Sequence, residues 1–293
     1  MTVVDDLKLQ YKIGGIAIRL IFWNILFFVV PEVVFALLKL FSVPINYVEY
    51  VSLSSNSINL FWKPWSVLSY AFFHSGIIHL LMNMLMLFYV GRLFTTFFTQ
   101  KQFLGIYILG AIFSGIVYII GYAFLPALMN VNTDMVGASG AIMTVLIATV
   151  TYQPFMEVRL FGVWKLPLWQ IAFLFLFIDM IQLPMNNTGG HIAHLGGALF
   201  GFIYIKLLVN GTDLSTIVST VIDFFVNLFQ PSKKTPFKKV HVNPKKPFTK
   251  STSKIVVKDK SQQQIDEILD KISQSGYDAL TAEEKEFLFK AGK

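Results

Sequence analysis

The chain is predicted to fold as an all-α membrane protein, a six-helix bundle carrying a cytoplasmic tail. Three observations predict it. Charged residues are 14% of the 293, against about 25% in soluble domains. Mean hydropathy is +0.61. The apolar residues gather in six runs near 14–41, 77–98, 102–124, 136–152, 166–184 and 191–209. A helix needs about 20 residues, with a range of about 17–25, to cross the hydrocarbon core.

Taken in order, the start "MTVVDDLKLQYK" carries two aspartates and reads as neither a cleavable signal nor an Arg-rich transit peptide. The first run contains Arg19, Pro31, Glu32 and Lys39, so its outer part is expected to bend or to leave the lipid. The fourth is short and rich in small residues, which suits burial among other helices. After the sixth, residues 211–230 place apolar side chains at 214, 217, 218, 221, 222 and 225, the spacing of a helix lying on a membrane surface. Residues 231–260 form a basic Pro/Lys-rich linker, and 261–293 read as two short helices broken at Ser275-Gly276. Thr281 and Glu284 make a capping-box pattern for the second. Residues 1–210 are the membrane domain.

Loop charge sets direction. Lys8, Lys12, Arg92, Lys101, Arg159, Lys165 and the basic tail alternate with loops 125–135 and 185–190, which hold no Lys or Arg. By the positive-inside rule both termini are cytoplasmic. The net charge of +7 then reads as orientation and attraction to anionic lipid, not as nucleic-acid binding. Without cysteine, disulfide and thiolate chemistry are excluded. The expected location is the inner membrane of a bacterium.

With this orientation His79, Asn83, Ser139 and His194 each lie within roughly 10 Å of the outer end of a different or shared helix, at 1.5 Å rise per residue. Buried polar groups at that depth are costly and point to function. Ser139 sits in "VGASGAIM", where Gly137 and Gly140 bare the backbone N–H groups of a helix start, a setting suited to an oxyanion. His194, in "HIAHLGG", is the candidate base; Gly196 and Gly197 are expected to let its helix pack on the small face around Ser139. His191 is a rival base. His79 and Asn83, at i and i+4, share a face and can donate hydrogen bonds. Together the set meets the needs of acyl transfer. Asp179 lies near the same depth. It reads either as the acid of a Ser-His-Asp triad or, more simply, as a helix-packing hydrogen bond or a water contact.

In "PWSVLSYAFFHSGIIHLLMNMLMLFYVGRLF", "GASG" and "AHLGGALFG", taken in that order, the chain resembles the rhomboid intramembrane serine proteases. The resemblance implies a six-helix core that cuts other transmembrane proteins in or beside their membrane segments. It implies Ser139 as nucleophile, His194 as base in a dyad, and His79, Asn83 and the Ser139 N–H as oxyanion hole. Span five would be the substrate gate, and loop 42–76 would brace the core from the outer leaflet. No metal or cofactor is implied; the partners would be transmembrane substrates and lipid. Three positions depart from the family pattern: Met143 stands where an aromatic often packs on the histidine, Ser66 replaces an arginine after Trp65, and "GRLFTT" lacks a glutamate. Two other classes stay open at this point, a non-catalytic client-binding relative and a transporter whose polar groups line a path.

Overall fold

The computed structural model describes residues 2–43, 45–160, 164–229 and 260–291. The chain divides into two compact units, Met1–Lys233 and Lys234–Lys293. The first opens with α1 (Val3–Ile13), which Thr2 and Asp5 start with a reciprocal capping box. Six apolar helices follow: α2 (Gly15–Leu40), α3 (Ile77–Thr95), α4 (Gln100–Phe124), α5 (Ser139–Tyr152), α6 (Leu168–Gln182) and α7 (Thr188–Val209). They make a multi-pass membrane bundle. α2, α3, α4 and α7 are long and apolar enough to cross a membrane, whereas α5 and α6 have 14 and 15 residues.

The first run does not bend out of helical form. α2 stays helical through Pro31, and Glu32 accepts a hydrogen bond from the Tyr47 hydroxyl at 2.8 Å. That partner settles a carboxylate that the sequence alone left stranded in an apolar run.

α5 and α4 form the centre. α5 is buried almost continuously from Gly140 to Thr149. α7 packs on both, through glycines whose missing Cβ allows close approach. A Cβ on Gly197 would run into the Gly140 carbonyl of α5, and one on Gly201 into the Thr144 carbonyl. Gly196 instead faces α4, where a Cβ would lie 2.7 Å from Val117. Of the two glycines expected to meet α5, only Gly197 does so.

Two pairs of short strands interrupt the all-α plan. β1 (Leu53–Ser54) pairs antiparallel with β2 (Asp134–Met135), matching Leu53 with Met135. β3 (Glu157–Leu160) and β4 (Trp164–Pro167) pair antiparallel between α5 and α6. Loop 42–76 is tied down at several points. Trp65 Nε1 donates to the Tyr50 carbonyl at 2.8 Å, and the buried Tyr70 hydroxyl donates to the Ala111 carbonyl of α4 at 2.7 Å.

After α7 the chain turns at Asp213, whose carboxylate accepts from Gln102, Tyr204 and both Ser215 donors, before α8 (Ser215–Phe229). Ser215 is buried where Gly105 of α4 leaves room for it. The linker expected over 231–260 lies, up to residue 259, outside the described residues. The second unit contains α9 (Lys260–Ser275) and α10 (Ala282–Ala291). Gly276 takes φ +79° at the break between them. The Thr281–Glu284 capping box is formed, and Lys271 of α9 reaches Glu284 at 2.8 Å.

Candidate active site

α3 begins beside loop 42–76 and presents His79 in its first turn, with Asn83 one turn further in. His79 Nδ1 lies 3.0 Å from the Ser75 hydroxyl. Asn83 donates one amide N–H to the His79 carbonyl at 2.8 Å, while its buried Oδ1 has no partner among the described residues. The second amide N–H is free of that bond.

The approach to Ser139 is fixed on both sides. The Gly137 N–H donates to the Tyr70 carbonyl at 2.9 Å, and the Tyr118 hydroxyl donates to the Thr133 carbonyl at 2.9 Å. Gly137 adopts φ +138°, a region that favours glycine. A Cβ there would lie 2.8 Å from His79 Cε1, 3.0 Å from His79 Nε2 and 3.7 Å from Ser139 Oγ. The imidazole of α3 and the hydroxyl of α5 thus flank one point. Ser139 opens α5, so the backbone N–H groups there lack partners one turn back. Its hydroxyl makes no hydrogen bond to a described residue, and is left free toward the cavity described next.

α7 reaches the same place. A Cβ on Gly140 would lie 3.4 Å from the Ala193 carbonyl, so the residue before His194 abuts the residue after Ser139. Ser139, His79, Asn83, Met143, His191 and His194 all line one cavity of about 520 Å³. Met143 is buried in its wall. Ser66, the replacement for arginine, is buried in a single helical turn. His74, also buried, stacks edge-on against His79 with ring centres 5.2 Å apart.

Asp179, near the C-terminal end of α6, enters this cavity from a fourth helix. One of its carboxylate oxygens lies 2.8 Å from His194 Nδ1 and 2.7 Å from His191 Nδ1. The side chain of His194 is 21% exposed and that of His191 9%. The contact with His194 is the one the triad alternative required, and neither sequence alternative anticipated the second contact, with His191.

Residues 62–211, about half of the chain, match the rhomboid domain family. The chain belongs to the rhomboid family. The rhomboid match runs from the single turn before Lys63 to the end of α7 and includes every residue of the cavity; α1 and α2 lie before it. The presenilin-associated rhomboid-like protein A, mitochondrial, of Danio rerio is 35% identical over 143 residues, covering 46% of this chain and 35% of that protein. The corresponding mitochondrial proteins of Rattus norvegicus and Homo sapiens are 30% identical over 150 and 154 residues, with the same shares. This rhomboid chain therefore spans about a third of the length of those relatives. Their names place them in mitochondria and lend no support to the expected bacterial inner membrane. Residues 256–290 match a separate family of unknown function (DUF6576).

Proposed function

We propose that the protein is an intramembrane serine endopeptidase that cuts other membrane proteins within or beside their transmembrane segments. One observation carries the reading: a single cavity at the ends of three helices collects a serine, two histidines from separate helices and an asparagine. Such a set supplies nucleophile, base and oxyanion donors for acyl transfer.

In this reading His194 takes the proton as Ser139 Oγ attacks the scissile carbonyl carbon. The oxyanion is held by the Ser139 N–H, His79 and the second N–H of Asn83. His194 returns the proton to the leaving amine as the C–N bond breaks. His194 then takes a proton from water as it attacks the acyl carbon, and returns that proton to Ser139 Oγ as the ester C–O bond breaks. The irregular backbone before Ser139 suits this chemistry, because non-helical chain at membrane depth must line protein or water. A client helix must also unwind locally to offer its peptide bond, since an intact membrane helix satisfies its backbone internally.

We further assign residues 1–210 to the catalytic bundle and 211–230 to an interfacial helix. The exposed Ile217, Val221, Phe224 and Phe225 of α8 form the apolar face such a helix would bury in lipid. Both termini are placed on the cytoplasmic side.

The test is incubation of the purified protein with a generic single-span substrate, beside Ser139→Ala and His194→Ala. Cleavage and labelling by a fluorophosphonate or isocoumarin probe are expected in the wild type and absent in both variants. Wild-type binding of the substrate without cleavage or labelling would establish the client-binding alternative instead.

A further inference from the structure

We propose that Asp179 is a positioning residue for His194, turning the Ser-His pair into a Ser-His-Asp arrangement whose acid comes from α6 and is shared with His191. The proposal rests on the peptidase reading above and deepens it.

The hydrogen-bond count leads to it. Asp179 is 5% exposed inside an apolar bundle, where a polar group without partners is expensive. Both Nδ1 atoms approach the same oxygen, at 2.7 and 2.8 Å. If the shared oxygen carried a proton, it would donate to one Nδ1 and accept from the other. A carboxylate oxygen can accept from both, and it can only accept. With Asp179 ionised, each imidazole carries its proton on Nδ1 toward the carboxylate. The Nε2 of His194 is left as the acceptor, which is the tautomer a base needs to take the proton of Ser139.

The two histidines have different parts. His194 is the more open of the pair and follows Ala193, whose carbonyl abuts Gly140 beside the serine. His191, one turn nearer the start of α7 and more deeply buried, is a second donor that holds the carboxylate in place. The two rings stand nearly perpendicular, at 87° with centres 5.8 Å apart, so both can point Nδ1 at one oxygen without stacking. The same three side chains also present donor atoms within 4.8 Å of one another, a spacing that could hold a metal ion. Two Nδ1–H groups accepted by one carboxylate oxygen account for the short contacts without one.

The experiment has two arms. In the first, the full-length protein carrying ¹⁵N-labelled histidine is studied in bicelles, with His191→Gln used to assign the two signals. His191 and His194 are expected to read as Nδ1–H tautomers in the wild type, and His194 as mixed or Nε2–H in Asp179→Asn. A wild-type His194 in the Nε2–H form would overturn the proposal without recourse to any variant of Asp179. In the second arm, cleavage is measured for wild type, Ser139→Ala, Asp179→Asn and Asp179→Ala. Asp179→Asn is expected to lower kcat by tenfold or more, toward the roughly 10⁴-fold seen when the analogous acid of a serine protease is amidated. KM should stay within about twofold. Formate should restore part of the rate to Asp179→Ala. An active wild type with an equally active Asp179→Asn would sink the role of Asp179 and leave the peptidase reading intact. A wild type that neither cuts nor takes the probe would sink both. Activity lost on EDTA dialysis and regained with zinc would mean the trio holds an ion rather than two protons, and would also overturn the proposal.

Discussion

At the scale of single residues, the sharpest test after the serine is Asn83. Its Nδ2 already holds the His79 carbonyl, so one N–H is anchored and the other is left for a ligand. Asn83→Ala should cost about 2.7–4 kcal/mol in transition-state stabilisation, or roughly 10²–10³ in kcat, with little change in KM. Steady-state cleavage of the single-span substrate measures both. Ser139, His194, His79 and Asn83 could all be picked out of the sequence because each lies near a helix start, so position along the chain pointed to one end of the bundle. Asp179 could not be resolved this way. Its depth was readable, but its direction was not: α6 is apolar nearly all round, and such a helix has no polar stripe to show which side faces inward. His191 and His194 were likewise hard to rank from spacing alone. Three residues apart on a helix, they share a face, and what separates them is their different exposure and the approach of Ala193 to Gly140 just before His194.

At the scale of elements, the seam between α5 and α7 sets the site. Gly197→Ala gains helix propensity of up to about 1 kcal/mol but drives its Cβ into the Gly140 carbonyl, which is backbone and cannot rotate away. The net expectation is a loss of about 1–3 kcal/mol in stability, as for other overpacked contacts. Cleavage should fall further than stability does, because the displaced segment carries His194. Thermal unfolding beside kcat reads the two effects separately. In the tail unit, the Lys271 ammonium and the Thr281 N–H hold the Glu284 carboxyl down at about 2. An unperturbed glutamate titrates near 4.3. Glu284 therefore contributes its stabilisation above about pH 4.3, and that contribution is lost as pH falls toward 2. Amide protection factors of α9 and α10 in the full chain should fall over that window, and Glu284→Gln should show the lower protection already at neutral pH. The helices themselves were legible to within a few residues, since long apolar runs with charged or polar ends have little freedom. The strand pairs were not. β1 and β2 hold two residues each and join segments some eighty residues apart, too short to show alternation and too distant for a turn signal. α1 was also overlooked, although Thr2 and Asp5 stand at capping-box spacing.

At the scale of the whole molecule, orientation is the property most exposed to test. The chain has no cysteine, so single cysteines introduced as reporters meet no background. Lys8→Cys and Lys290→Cys should react with an impermeant maleimide from the same side of a sealed vesicle. Asn132→Cys, just ahead of β2, should react from the other. Labelling of Lys8→Cys and Asn132→Cys from one side would reverse the reading of the loop charges. The order of the helices was available from hydropathy, and the gathering of His79, Asn83, Ser139 and His194 at one cavity was anticipated from their places near helix starts. The tie between α6 and α7 at that end was not, because it depends on side-chain aim rather than on length or polarity.

That tie has a consequence for timing. α6 buries only Leu168, Ala172 and Asp179 and turns Phe173, Leu174, Phe177 and Met180 outward, so its hold on the bundle is light, and the carboxylate is its anchor at the cavity end. On the peptidase reading proposed above, a client that entered by levering this helix aside would carry the Asp179 carboxylate away from His194. Under that reading admission and bond-breaking would exclude each other, and the site would have to close again before it could cut.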